Sequence, residues 1–321
     1  MRTAESLNQA LSQAAIIIPT KNAGAVFVEV LQAVREQEGW SGRCIVIDSG
    51  SVDDTPSIAL SYGCELIQIK TEEFDHGGTR QYGVDMSNPL PFIIFLTQDA
   101  ILATKDALLH LISGFDDPEV GACFGRQVPR KGANLIEYHA RLFNYPEQSR
   151  TTSLDDAKSM GIKAAFLSNS FAAYRRAALE SAGGFPMEVI FGEDMLTAAK
   201  MLNRGWKISY RAQAQVFHSH DYSFMVEFKR YFDMGVMHSR ERSHLEFLGK
   251  TNREGWKFVR SENLWLARRA PWLIPVAWLR NVIKLAGYRL GKLERSIPSR
   301  IKSRLSMNKT FWNRTLDRDA P

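Results

Sequence analysis

The sequence predicts an α/β fold built on a parallel-centred sheet, and three observations carry that expectation. Compact apolar runs alternate with segments whose apolar residues recur at helical spacing. Polar residues follow several of these runs directly, where parallel strands deliver their loops. From Lys250 onward the chain changes character and becomes basic, aromatic and helical in pattern.

Taken in order, residues 14–18 form an apolar run ended by Pro19, read as a buried strand. Val26, Val30, Leu31 and Val34 mark a helix over 26–36, and 44–47 is a second strand. Thr55-Pro56 reads as an N-cap followed by proline in the first turn, opening a helix toward Tyr62. Strands are expected at 65–69, 92–96 and 120–124, with a helix at 105–115. Beyond these, 166–173 reads as a strand, and 175–182 as a helix closed by Gly183-Gly184. Met195, Ala198, Ala199 and Leu202 place a one-faced helix between Gly192 and Gly205. Two short strands follow at 206–210 and 215–217, then helix from Ser223. The expected division is a catalytic body over 1–245, with its halves at about 14–126 and 127–245, and a helical extension over 246–321.

The chain has 321 residues, 45% of them hydrophobic, enough for a large core. Its net charge of +6 divides into −6 before Lys250 and +12 after it. An acidic body with a basic tail argues against nucleic-acid binding and for an electrostatic anchor. Cys44, Cys64 and Cys123 have no paired or metal-like spacing and read as buried free thiols in a reducing compartment. The N-terminus shows no basic-then-apolar leader, so a cytoplasmic location is expected.

Four segments concentrate chemistry: IIIPTKN (16–22), VIDSGSVDDT (46–55), FDHGGTRQYG (74–83) and FLTQDA (95–100). Any one of their aspartates could be a turn or cap residue. Their order along one sheet edge is what suggests a site. Gly77, Gly78, Thr79 and Arg80 stand at a helix start, where backbone amides and a guanidinium suit phosphate. Further on, Glu193 and Asp194 open a helix and His218 follows 24 positions after Asp194. A helix N-terminus favours ionised carboxylates, so Asp194 is expected to be deprotonated and able to act as a base.

These motifs together resemble the family 2 inverting glycosyltransferases over roughly residues 14–240. The resemblance implies the GT-A nucleotide-diphospho-sugar transferase fold, a Rossmann-like mixed sheet flanked by helices. It implies donor-binding roles for Pro19, Thr20, Asn22, Asp48, Arg80 and Gln98, with Asp48 accepting from a pyrimidine and Arg80 near the diphosphate. Asp99 and His218, or His220 in its place, are implied as ligands of a divalent cation, Mg²⁺ or Mn²⁺. Asp194 is implied as the base, with Glu193 steadying the acceptor or the helix end. The Asp-x-Asp position reads Thr97-Gln98-Asp99, so its first carboxylate is missing. Within the family, EFDHGGTR and LTQDA look like bacterial rhamnosyltransferases, which implies dTDP-L-rhamnose as donor and a lipid-linked saccharide as acceptor. UDP-hexoses and other deoxysugars stay open, as does a binding module without turnover.

The tail has two readings. Leu279, Val282, Ile283, Ala286, Leu290, Leu293 and Ile297 share a helical stripe, with tryptophans and cations around it. One reading is a helix lying on the inner face of the cell membrane as a peripheral anchor. The other is a helix packed on the body or on a second copy in a homodimer. The apolar run WLIPVAWL is too short to span a bilayer.

Overall fold

The computed structural model describes residues 4–249 and 254–318. The first half contains α1 (Ala4–Ser12), β1 (Ala14–Thr20), α2 (Val26–Arg35), β2 (Arg43–Asp48), α3 (Thr55–Ser61) and β3 (Glu65–Gln68). After these come α4 (His76–Met86), β4 (Phe92–Leu96), β5 (Ile101–Leu102), α5 (Ala107–Ile112) and β6 (Val120–Val128). The second half adds α6 (Leu135–Asn144), β7 (Arg150–Thr152), α7 (Ala157–Met160), β8 (Phe171–Arg175), α8 (Arg176–Ser181), α9 (Glu193–Asn203) and β9 (Lys207–Phe217). The rest is helical: α10 (Phe224–Arg240), α11 (Arg242–Leu245), α12 (Glu254–Ala267), α13 (Ile274–Lys292), α14 (Ser299–Leu305) and α15 (Lys309–Arg318).

One sheet runs β3-β2-β1-β4-β8-β6-β9-β5, with β7 paired to β9. β3, β2, β1 and β4 are parallel, and β8 is antiparallel to both β4 and β6. Both faces are covered. Ile16, Ile18 and Val46 meet Phe27 and Leu31 of α2 on one side. Ile17, Ile45 and Phe95 join Leu196, Phe232 and Trp312 on the other. This alternation within an unbroken apolar run is the pattern of a strand buried on both faces.

Several boundaries differ from the sequence reading. The two strands expected near 206–217 are one, because β9 absorbs a register shift against β6, where Gly125 faces Arg211 and Arg126 faces Gln215. The strand expected at 166–173 starts only at Phe171, since residues 161–165 form a tight 3-10 turn. Thr55 lies in the first turn of α3 instead of capping it; Asp53 accepts its N–H at 3.1 Å and its hydroxyl at 2.6 Å. The cysteines are free, and Cys64 and Cys123 are buried as expected while Cys44 on β2 is only partly so; its Sγ lies 3.3 Å from that of Cys64, just before β3.

The expected extension is helical and packs back on the body. α13 meets α10 with backbones in direct contact, at Gly235, Gly287 and Gly291. A Cβ at Gly291 would strike the Phe232 carbonyl oxygen. Gly291→Ala is therefore expected to cost about 1–3 kcal/mol, read as a lowered denaturant midpoint with an unchanged slope. An unchanged midpoint would mean the two helices separate freely. The final segment returns to two loops of the body. Asn308 donates to Ile190 O at 3.1 Å, and Arg314 donates to the carbonyls of Glu72 and Phe74.

Candidate active site

The ends of β1 and β2 build the first wall. Thr20 donates its hydroxyl to Asp48 Oδ1 at 3.1 Å, and the Ser51 N–H donates to Asp48 Oδ2 at 2.9 Å. Asn22 adopts a positive φ of 47°, accepts the Val52 N–H on its side chain at 2.9 Å, and donates its own N–H to Ser51 Oγ at 2.7 Å. Asp48 is wholly buried, so here it orders the 49–52 loop instead of offering a free carboxylate to a base edge. Gln98 clasps the backbone of Lys21, accepting its N–H at 2.7 Å and donating to its carbonyl at 3.2 Å. The loops after β1 and β4 are thereby held together.

A second cluster lies just past β4 and β9. His218 Nε2 is 3.4 Å from Asp99 Oδ1, and His220 Nδ1 is 3.7 Å from Asp99 Oδ2. Ligand atoms of all three lie within 4.8 Å of one another. The tautomer of His218 follows from its neighbours. Arg141, a pure donor, bonds Gln127 Oε1, which identifies that atom as oxygen. His218 Nδ1 sits 3.0 Å from the same oxygen and must carry the proton. Burial lowers the His218 pKa and takes that of His220 down to about 4, so both rings are neutral near pH 7. A bare Nε2 thus faces a carboxylate oxygen, two acceptors with no proton between them. A divalent cation resolves that opposition, and one oxygen plus two imidazole nitrogens suits Mn²⁺ better than Mg²⁺. His220, weighed in the sequence only in place of His218, stands beside it.

The third element is the start of α9. Glu193 and Arg80 form a buried ion pair at 3.1 Å, each side chain under a tenth exposed. Arg80 also donates to His76 O at 2.9 Å and lies over the Phe95 ring. This differs from the expected guanidinium free for a diphosphate: α4 carries Arg80 inward, and Glu193 takes up its charge. Asp194 keeps some solvent contact while Glu193 has almost none. The expectation of a fully ionised Asp194 also changes. Burial first, and then the neighbouring Glu193 charge, raise its pKa to about 7, outweighing the Asn169 and Met195 N–H donors at 3.2 and 2.8 Å.

Sequence reasoning missed the residues that join these parts. Asn169 gives its backbone N–H to Asp194 and its side-chain amide to Glu193 at 3.2 Å, and Tyr174 donates to its Oδ1 at 2.7 Å. Its neighbour Ser168 accepts from Gln127 Nε2 at 2.9 Å, and Gln127 holds His218. A continuous polar chain therefore links the Asp99 cluster to Asp194. Ser168-Asn169-Ser170, polar residues inside an apolar stretch, were the available signal.

The sequence profile described as Glycosyl transferase family 2 matches residues 15–183, more than half the chain. The chain belongs to this family. It is therefore a glycosyltransferase. It is 45% identical over 299 residues to the O-antigen chain rhamnosyltransferase RfbN of Salmonella typhimurium, covering 93% of this chain and 95% of that one. It is 44% identical over the same shares to the O-antigen chain rhamnosyltransferase WbaN of Salmonella anatum. Among solved structures it resembles the mannosyltransferase PcManGT of Pyrobaculum calidifontis, in complex with GDP-Man and Mn²⁺. That match has a TM-score of 0.56 at 18% identity and covers 96% of this chain and 86% of the other. The last likeness establishes the shared GT-A architecture.

Proposed function

We propose that this family 2 enzyme transfers L-rhamnose from dTDP-L-rhamnose, with inversion, to a hydroxyl of a lipid-linked saccharide in O-antigen-type synthesis. The observation that carries the chemistry is the polar chain from the Asp99–His218–His220 cluster through Ser168-Asn169 to Asp194. The relatives named for O-antigen rhamnose transfer, similar along nearly the whole chain, support the sugar and the acceptor class.

In this reading Pro19, Thr20, Asn22 and Asp48 shape the nucleotide pocket, and Gln98 fixes its wall. Asp99, His218 and His220 hold the divalent cation, Mn²⁺ by their donor set; when bound, it offsets charge growing on the departing diphosphate. Asp194 takes the proton of the acceptor hydroxyl as that oxygen attacks the anomeric carbon from the face opposite the leaving group. Arg80 and Glu193 act through Asp194 instead of touching substrate. The reaction is placed at the cytoplasmic membrane face, where a polyprenyl-diphosphate-linked acceptor would be met. Among the described residues no helix is long and apolar enough to cross a membrane.

A panel of nucleotide sugars with Mn²⁺ tests the donor. dTDP-L-rhamnose is expected to raise the melting temperature by a few degrees at saturating concentration and to be turned over. A larger response to a UDP-hexose overturns the sugar assignment.

A further inference from the structure

Lys257, Arg260, Leu264 and Trp265 of α12, with Arg268 and Arg269 in the turn just after it, line an open cleft of about 440 Å³. The lining holds four cations and no acid. Glu254 is engaged by Lys163 and Lys257, and Glu262 is buried against Asn281. Among the described residues no carboxylate pairs with Arg260, Arg268 or Arg269; Arg269 instead stacks on Trp265, 4.4 Å from the ring centre.

The chain leaves this helix through Trp272, which is 73% exposed, and enters α13. There Trp278, Leu279, Val282 and Leu285 are all about half exposed, while Gly287 and Gly291 of the same helix lie against α10. Ala277 and Leu266 are consumed in a small core with Ile136. The body thus uses one side of this helix pair and leaves large apolar side chains on the other. So many exposed tryptophans and leucines beside unpaired arginines mark an interaction face.

Charge decides among occupants. A second copy docked on this face would bring two sets of unpaired cations together, which is repulsive. An anionic bilayer offers phosphates to the cations and a headgroup layer to the indoles. The face is also near the chemistry, since Arg280 of α13 donates to Tyr222 O at 3.0 Å, two residues beyond His220.

We infer that α12 and α13 form a docking face for an anionic lipid bilayer. Arg260, Arg268 and Arg269 take headgroup phosphates, and Trp272 and Trp278 enter the interface. This deepens the proposed meeting with a membrane-borne acceptor and rests on that reading for its purpose, not for its physics.

The full chain is tested by sedimentation with vesicles of phosphatidylcholine alone or with phosphatidylglycerol added, at low and high salt. Binding is expected only to the anionic vesicles, weakening with salt and blue-shifting tryptophan emission. R268E with R269E is expected to lower that partition at least about 100-fold, since each cation contributes roughly fivefold and each reversal counts about twice. W272S with W278S is expected to abolish the emission shift. Both double variants should keep wild-type turnover of dTDP-L-rhamnose onto a water-soluble acceptor. Failure of that turnover in the wild type would sink the donor assignment and leave the vesicle result standing. Equal binding to neutral vesicles, unchanged partition of the variants, release by millimolar inorganic phosphate, or a dimer that hides Trp272 would each overturn the docking face.

Discussion

Replacing Asp194 with asparagine is expected to lower transfer by about 10²- to 10⁴-fold while leaving donor affinity within about twofold. The side chains are nearly the same shape, and the one oxygen of asparagine can still accept from either the Met195 or the Asn169 N–H, which in the wild type donate to different oxygens. What disappears is the more exposed of the two carboxylates at the head of α9. Transfer at the wild-type rate would remove Asp194 as the base. The pH profile gives a second test with a definite sign. Asp194 works as a base only when ionised, and its pKa stands at about 7, so kcat should rise with pH through that value. Glu193→Gln removes a neighbouring negative charge and should move this limb to lower pH. Arg80 and His76 of α4, Glu193 beside it, and the phenols of Tyr174 and Tyr145 are the other titratable groups around the pair. A limb that stays put in Glu193→Gln would show that Glu193 is only structural.

The sheet was legible because β1, β2 and β4 are unbroken apolar runs, and strand ends deliver their polar residues by rule. Asp99 and His218 were picked out for the same reason, just past β4 and β9, whereas Asp194 was picked out from a helix start. The partners of Arg80 were not legible. A Gly-Gly-Thr-Arg segment at a helix start looks alike whether the guanidinium faces solvent or core. Only the packing of α4 shows the latter, with Gly77 so close to Pro186 that a Cβ would collide with its carbonyl. Asn169 was hidden for another reason. Phe166 and Leu167 mimic a strand start, but both are spent on a loop, so polar residues 168–170 looked like strand interior. Gln127 escaped because β6 runs on through Gly125, Arg126 and Gln127 to Val128, past the apolar run that ends at Phe124.

Asp99→Ala is expected to abolish metal-dependent donor binding and to lower transfer by about 10³-fold, the several kcal/mol a Lewis-acid cation supplies to a phosphate leaving group. With Thr97 where the first carboxylate of the motif would stand, Asp99 is the sole acidic member of the cluster. His218→Gln and His220→Gln should each raise the Mn²⁺ concentration needed for half-maximal donor binding, separating two true ligands from one ligand and a bystander. Gln127→Ala touches no metal, yet it removes the acceptor that keeps the His218 proton on Nδ1. It should therefore weaken metal binding about 10- to 100-fold, as loss of an outer partner typically does. Titrating Mn²⁺ against donor binding in the four variants decides the matter. If Gln127→Ala matches the wild type, the tautomer argument fails. If Asp99→Ala binds donor as tightly with Mn²⁺ as the wild type, the cluster is not the cation site, and the charge on the departing diphosphate must be met by arginines instead.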